Sequence, residues 1–228
     1  RVGEAAVGHL ADVLLHRVQE AGGFPDLHGA AAAVGRHLAR RGLEAQIEPG
    51  PLPGTLAVTY RHDGPAPRVS VIIPTRDRLE VLRPCLGSLL QQTRYPDFEV
   101  LVVDNASRES ATLAYLEELA QGDARVRILR YPHEFNYAAI NNFAATEARG
   151  EYLLLLNNDT AVLHPEWLEQ MMAQARRTDV GAVGARLIFP DGRLQHAGIV
   201  LGMGADGIAN HLHLGLPLDD PGYRGRAQ

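Results

Sequence analysis

The chain has 228 residues, of which 46% are hydrophobic and 21% charged, a globular composition that excludes a mainly disordered protein. Its net charge is −5 and its isoelectric point is near 6.1, whereas a general nucleic-acid binder normally carries a basic excess. The single cysteine, Cys85, excludes an internal disulfide framework and a multi-cysteine zinc site. The chain contains no lysine, which excludes Schiff-base chemistry.

The first 67 residues differ in pattern from the rest. Helical spacing of apolar residues predicts two amphipathic helices, over 7–18 and 31–39. Two short strands are predicted after them, over 45–48 and 56–60. Asp63 to Pro67 has the composition of a linker. We therefore expect residues 1–67 to form a small α-helical and β segment with its linker, followed by a larger domain over 68–228.

From Arg68 onward, strand and helix patterns alternate. Apolar runs predict strands over 69–73, 98–103, 126–129 and 152–156. Helical spacing predicts helices over 79–90, 112–119, 137–148 and 165–177. Strands that are apolar throughout are typical of a parallel sheet covered by helices on both faces. The sequence therefore predicts an α/β fold with a mostly parallel sheet, whose ligands gather at the carboxyl ends of the strands.

The last stretch is less regular. Two strand-like runs, over 180–189 and 194–201, flank Pro190-Asp191-Gly192, which predicts a hairpin. From Gly202 the abundance of glycine, histidine and proline predicts a long loop. We expect His211 and His213 to be solvated there, and the alternative is that they are ligands or acceptor contacts. His196 is a candidate for the acceptor side of a site.

Polar residues follow every predicted parallel strand. They are Pro74, Thr75 and Asp77 after the first, Asp104 and Ser107 after the second, His133 and Asn136 after the third, and Asn157 to Asp159 after the fourth. Because Asn, Asp and Ser also favour turns and helix caps, any one cluster carries little weight. Four clusters at one edge of a sheet indicate a ligand site.

Asn157-Asn158-Asp159 is the most informative of these clusters, because it directly follows four leucines. A carboxylate at this edge could hold a divalent cation against a diphosphate, since Mg²⁺ and Mn²⁺ bind carboxylate and phosphate oxygens. The alternative is that Asp159 or Thr160 only caps the helix that begins near Pro165. The intervening residues make a capping role less natural.

Four stretches resemble the family 2 inverting glycosyltransferases, which have the GT-A fold. They are VSVIIPTRDR (69–78), FEVLVVDNAS (98–107), FNYAAINNFAATEARGEYLLLLNND (135–159) and DGRLQHAG (191–198). The resemblance covers about residues 68–228 and is nearest to rhamnosyltransferase-like bacterial enzymes that build surface polysaccharides. It implies that 68–228 is a C-terminally incomplete GT-A domain within a larger multidomain chain.

The resemblance also implies roles for individual residues. The turn with Pro74, Thr75 and Asp77 would hold the base and ribose of a nucleotide, and Asp104 would contact the base. The expected donor-binding set comprises these four residues together with Asn136, Asn141, Asn157 and Asn158. Asp159 would bind the metal ion, Mg²⁺ or Mn²⁺. Asn157 stands where the family's Asp-X-Asp motif has its first acid, so a weaker metal site is expected.

The implied reaction is metal-assisted, inverting transfer of a sugar from a nucleotide-diphospho-sugar to a saccharide or lipid-linked acceptor. We expect it to serve cell-surface polysaccharide synthesis, in the cytoplasm or at the inner face of the membrane. The catalytic base is expected beyond Gln228. One alternative is a nucleotide-binding module that is catalytically incomplete. Another is a sugar nucleotidyltransferase, which the Pro-Thr-Arg-Asp-Arg turn and the absence of lysine disfavour.

Overall fold

The computed structural model describes residues 26–51, 54–202 and 207–220, so the helix predicted over 7–18 lies outside the described residues. The first described helix, α1 (Leu27–Arg40), begins where the Asp26 side chain accepts a hydrogen bond from His28 N. It is followed by Gly42, whose φ of 66° favours glycine. Strands β1 (Ala45–Pro49) and β2 (Leu56–Tyr60) then form an antiparallel hairpin.

A parallel sheet of four strands forms the centre of the molecule. Its strands are β3 (Val69–Thr75), β4 (Phe98–Asp104), β5 (Val126–Arg130) and β6 (Tyr152–Leu155), in the order β5-β4-β3-β6. The helices along the chain are α2 (Leu79–Gln92), α3 (Ser110–Gly122), α4 (Tyr137–Glu147) and α5 (Trp167–Ala175). The predicted alternation of strands and helices is confirmed.

The core has two parts, one on each face of the sheet. Alternate residues of β3 and β4 pack with Leu82, Leu116 and Leu168 from α2, α3 and α5. The intervening residues of the same strands pack with Ile140 and Ala144 of α4. Burial of both faces explains why these strands lack a polar alternation.

The N-terminal hairpin unit is held against α5. Gln174 Nε2 donates to Val58 O at 3.4 Å, His62 Nε2 donates to Ala173 O at 2.8 Å, and Arg176 Nη2 donates to Asp63 O at 2.7 Å. The guanidinium of Arg177 also lies 4.4 Å from the centre of the Tyr60 ring. The predicted linker is therefore fixed to α5, and a domain boundary at residue 67 stays a prediction.

The C-terminal part differs from the sequence prediction. The hairpin is present, but its strands are only β7 (Leu187–Ile188) and β8 (Leu194–His196). The prediction of a loop from Gly202 is wrong in part, because β9 (Ile199–Leu201) pairs with β10 (Ala209–His211) through backbone hydrogen bonds that need no apolar pattern. His213 is only 4% exposed, so the expectation that it is solvated is also wrong. Its segment folds back onto β8, where Gly215 N donates to Leu194 O.

Within the described ranges, no helix combines the length and the apolar character needed to cross a bilayer.

Candidate functional site

Three side chains lie in one row at the carboxyl ends of adjacent strands. Thr75 pairs with Asp104 in the β3–β4 register, and Asp104 pairs with Arg130 in the β4–β5 register. The Asp104 side chain is 2% exposed and forms an ion pair with Arg130, which is 49% exposed. Ser107 N also donates to Asp104 Oδ1 at 3.1 Å. These donors compensate a carboxylate that would otherwise be costly to bury.

Asp77 joins the loop after β3 to the loop after β4. Its Oδ1 accepts hydrogen bonds from Arg108 N at 2.7 Å and Glu109 N at 2.9 Å, and its backbone N donates to Ser107 Oγ at 2.7 Å. The backbone N–H groups of Glu109 and Arg108 lower the pKa of the Asp77 carboxyl. Asp77 and Arg78 have φ values of 53° and 59°, a strained conformation that these contacts stabilise and that often marks functional sites.

The loop over 157–162 follows β6 and carries Asp159. Asn158 Nδ2 donates to Thr75 Oγ1 at 3.0 Å, which joins this loop to the end of β3. The Asp159 side chain is exposed, and among the described residues none forms a hydrogen bond or ion pair with its carboxylate. The carboxylate is therefore available to a ligand.

The oxygen donors at and beside Asp159 are of the kind that hard divalent cations bind. No three His, Cys, Asp or Glu side chains come together as a metal-binding group anywhere in the described part of the chain. The protein therefore offers one free carboxylate here, with the amides of Asn157 and Asn158 beside it in sequence. Mg²⁺ and similar ions commonly bind one or two carboxylates, with phosphate oxygens and water completing the shell.

The asparagines of α4 have local roles in the structure. Asn136 caps the helix, because its side chain accepts from Ala139 N at 3.0 Å. Asn141 is 7% exposed, and its Nδ2 donates to Tyr137 O at 2.7 Å, while its buried Oδ1 has no partner among the described residues. No contact joins either side chain to Thr75, Asp104 or Asp159 in the described residues. Their roles in donor binding, like that of half-buried Pro74, stay predictions.

Sequence reasoning missed residues that shape this site. Arg130 is not among the predicted site residues, although it directly follows the strand predicted over 126–129, as Asp104 directly follows the strand predicted over 98–103. Ser107 had been noted only as part of a polar cluster.

A cavity of about 760 Å³ runs along the open edge of β6. It extends from Asn157 and Thr160 to His196, and its wall includes Leu153, Leu155, Trp167 and Met171. The Nδ1 atoms of His196 and His211 lie 2.9 Å apart. Burial, and secondly the neighbouring His211, lower the pKa of His196. The role of His196 on the acceptor side stays a prediction.

Comparison with known proteins identifies the family. The family model described as glycosyl transferase family 2 matches residues 70–199, more than half of the chain. The chain belongs to glycosyl transferase family 2. The parallel sheet of this family 2 domain, flanked by helices, is the expected GT-A-like α/β fold.

Two curated proteins are similar to the family 2 chain over most of its length. It is 46% identical over 192 residues to y4gI of Sinorhizobium fredii, covering 84% of this chain and 21% of that protein. It is 44% identical over 228 residues to the O-antigen biosynthesis protein RfbC of Myxococcus xanthus, covering 95% of this chain and 17% of RfbC. The chain thus spans about a fifth of the length of these relatives.

A solved structure is also similar to the family 2 chain. The mannosyltransferase PcManGT from Pyrobaculum calidifontis, in complex with GDP-Man and Mn²⁺, is 24% identical and has a TM-score of 0.47. The similarity covers 68% of this chain and 43% of that one.

Proposed function

We propose that the chain binds a nucleotide-diphospho-sugar and transfers its sugar to a saccharide or lipid-linked acceptor. The observation that carries the proposal is the hydrogen bond from Asn158 to Thr75. It places the loop that bears the free Asp159 carboxylate beside the strand ends that bear Thr75 and Asp104. One donor molecule would span these two parts, with its nucleoside at the strand ends and its diphosphate and cation at the Asp159 loop.

The two sides of the site have different tasks in this proposal. The linked loops around Asp77 and Asp104 form a rigid rim for the base and ribose. Asp159 would hold Mg²⁺ or Mn²⁺, and the bound cation would supply Lewis-acid stabilisation of the leaving diphosphate. The strained conformation at Asp77 and Arg78 supports a prearranged rim, because such strain persists only where surrounding contacts fix it.

Two finer features rest on similarity. The resemblance to inverting enzymes supports inversion at the anomeric carbon, which also requires a general base for the acceptor hydroxyl. The similarity to an O-antigen biosynthesis protein supports a role in the synthesis of cell-surface polysaccharide.

Calorimetric titration with UDP, dTDP and GDP, each with and without Mn²⁺, tests the proposal. We expect one nucleotide to bind more tightly with Mn²⁺, and we expect Asp159→Ala to remove that difference. The matched control is Asp97→Ala, because Asp97 is an exposed aspartate that pairs with Arg68 at the opposite end of the sheet. The proposal is wrong if no nucleotide binds, and the metal assignment is wrong if Asp159→Ala retains the full effect of Mn²⁺.

A further inference from the structure

Helix α2 holds the Asp159 loop at two points. Ser88 Oγ accepts a hydrogen bond from Val162 N at 3.0 Å, and Cys85 Sγ lies 3.6 Å from the carbonyl oxygen of Asn157, to which it donates. The two side chains are three residues apart, so they lie on the same face of the helix. They contact the first and last residues of the loop over 157–162, on either side of Asp159.

Ser88 is well suited to hold a loop. Its hydroxyl donates to Cys85 O at 3.0 Å while it accepts from Val162 N, so the first bond fixes the orientation of the second. A serine hydroxyl has one donor and two acceptor lone pairs, and both kinds of bond are formed here. The loop is thereby fastened to a helix whose Leu82, Leu86 and Leu89 are fully buried.

The placement of Asp159 depends on this backbone. No described side chain forms a hydrogen bond or ion pair with its carboxylate, so the path of the loop sets the region that the carboxylate can reach. Before Asp159, that path is held by Cys85 at Asn157 and by Thr75 at Asn158. After Asp159, it is held by Ser88 at Val162. A hard cation requires its ligands within a few tenths of an ångström of their proper distance, so a looser loop would bind it less well.

We infer that Ser88 and Cys85 are positioning residues for cation binding at Asp159. The inference rests on the proposed function, because it takes Asp159 as the cation ligand. It adds two residues that would touch neither the cation nor the nucleotide. Their effect is confined to the cation-dependent part of donor binding, whereas a general structural role would weaken nucleotide binding with and without the cation alike.

The test compares Ser88→Ala and Cys85→Ala with a matched control and a conservative variant. The control is Thr146→Ala, because Thr146 Oγ1 also donates to a carbonyl three residues earlier in its helix but holds no loop. The conservative variants are Ser88→Thr and Cys85→Ser, which keep a donor and an acceptor. Binding of UDP, dTDP and GDP is measured with and without Mn²⁺, Mn²⁺ binding is followed by electron paramagnetic resonance, and exchange of the Val162 amide hydrogen is recorded.

We expect Ser88→Ala to weaken Mn²⁺-dependent nucleotide binding about 2- to 10-fold, as for one lost hydrogen bond, and to speed exchange at Val162. Nucleotide binding without Mn²⁺ should be unchanged in Ser88→Ala. In Thr146→Ala and Ser88→Thr, both the Mn²⁺-dependent nucleotide binding and the exchange at Val162 should be unchanged. If Ser88→Ala does not fold, Cys85→Ala and Cys85→Ser provide the same comparison at the other end of the loop.

The outcomes separate this inference from the proposed function. If Asp159→Ala removes the effect of Mn²⁺ while Ser88→Ala and Cys85→Ala leave it intact, the inference alone is overturned. It is also overturned if these variants weaken binding equally with and without Mn²⁺. If Asp159→Ala leaves the effect intact, or if Mn²⁺ has none on the unmodified protein, the metal assignment falls and the inference falls with it.

Discussion

Asn158 and Thr75 are joined by a side-chain hydrogen bond of 3.0 Å, although 83 positions separate them in the chain. Thr75 ends β3 and is 4% exposed, whereas Asn158 lies in the loop after β6. The bond connects two elements that were expected to bind different ends of one ligand. The bond uses an N–H of the Asn158 amide, and no described residue is hydrogen-bonded to its carbonyl oxygen.

The side chains of Thr75 and Asn158 should be coupled in their contributions to the free energy of unfolding. We expect Thr75→Val and Asn158→Ala each to destabilise the protein, with a coupling of about 1 kcal/mol in a double-mutant cycle. Urea unfolding of the two single variants and the double variant provides the measurement. Asn158→Ala combined with Thr146→Ala serves as the control and should be additive. Additive effects of Thr75→Val and Asn158→Ala would contradict a stabilising bond between the two side chains.

Arg130 should contribute to the stability of the fold because it pairs with the buried carboxylate of Asp104. Arg130→Met leaves Asp104 with few donors, so we expect a loss of about 1–3 kcal/mol in the free energy of unfolding. Adding Asp104→Asn removes the buried charge and should restore part of that loss. A double variant that is less stable than Arg130→Met would show that the pair is not the cause.

Asp104→Ala should also weaken nucleotide binding without metal.

Asp77 offers a test of loop geometry through two substitutions. Asn tolerates the positive φ of this position and can still accept from Arg108 N and Glu109 N, whereas Ala removes both hydrogen bonds. We expect Asp77→Asn to retain most nucleotide affinity and Asp77→Ala to lose about tenfold. Calorimetry measures both, and equal losses would show that the carboxylate charge matters more than the loop contacts.

Glu99 should make the free energy of unfolding depend on pH in the acid range. Its buried side chain accepts from Ser70 Oγ at 2.7 Å, Arg149 N at 2.6 Å and Arg127 Nη1 at 3.2 Å. Burial alone would raise its pKa, but these donors together outweigh burial and lower the pKa below the ordinary value of 4.5. The stabilisation is therefore present above pH 4.5 and is lost as the pH falls through the lowered pKa.

Glu99→Gln isolates this contribution. The variant should be less stable than the unmodified protein at pH 7, and the gap should close as the pH falls below 4.5. Urea unfolding at a series of pH values measures this difference in stability, with Glu117→Gln as the exposed-glutamate control. A gap that stays constant down to pH 3 would refute the assignment.

Cys85 should be inert while the protein is folded. It is 1% exposed, and burial raises the pKa of its thiol to about 11, so little thiolate forms at pH 8. We expect iodoacetamide to label the folded protein far more slowly than the urea-unfolded protein. Because it is the only cysteine, one labelled thiol per chain is the full signal. Labelling at equal rates would mean that α2 opens readily.

Much of the central fold follows from the sequence because periodicity and burial agree there. The strands Val69–Thr75 and Phe98–Asp104 are apolar on both faces, and each predicted helix between strands is present within a few residues. The C-terminal part was harder to predict. Strand β10 contains Ala209, Asn210 and His211, which have no strand pattern, and only its pairing with β9 defines it.

The site could be located from the sequence but its contacts could not. The rule that ligands gather at the carboxyl ends of parallel strands placed Thr75, Asp104 and Asp159 at one edge. It could not show that Asp104 is buried against Arg130, or that Asp77 binds backbone of another loop. These contacts depend on strand register and loop path, and a sequence contains no direct signal for either.

Helix α5 contributes to two packed units at once. Leu168 and Met172 belong to the core beneath the sheet. Gln174 binds β2 at Val58, Ala173 binds His62, and Arg176, directly after the helix, binds Asp63. Because one rigid helix completes both units, melting of the hairpin would expose the end of α5, and melting of α5 would release the hairpin. The two units should therefore lose structure cooperatively, with the hairpin adding its folding free energy to that of the central α/β domain.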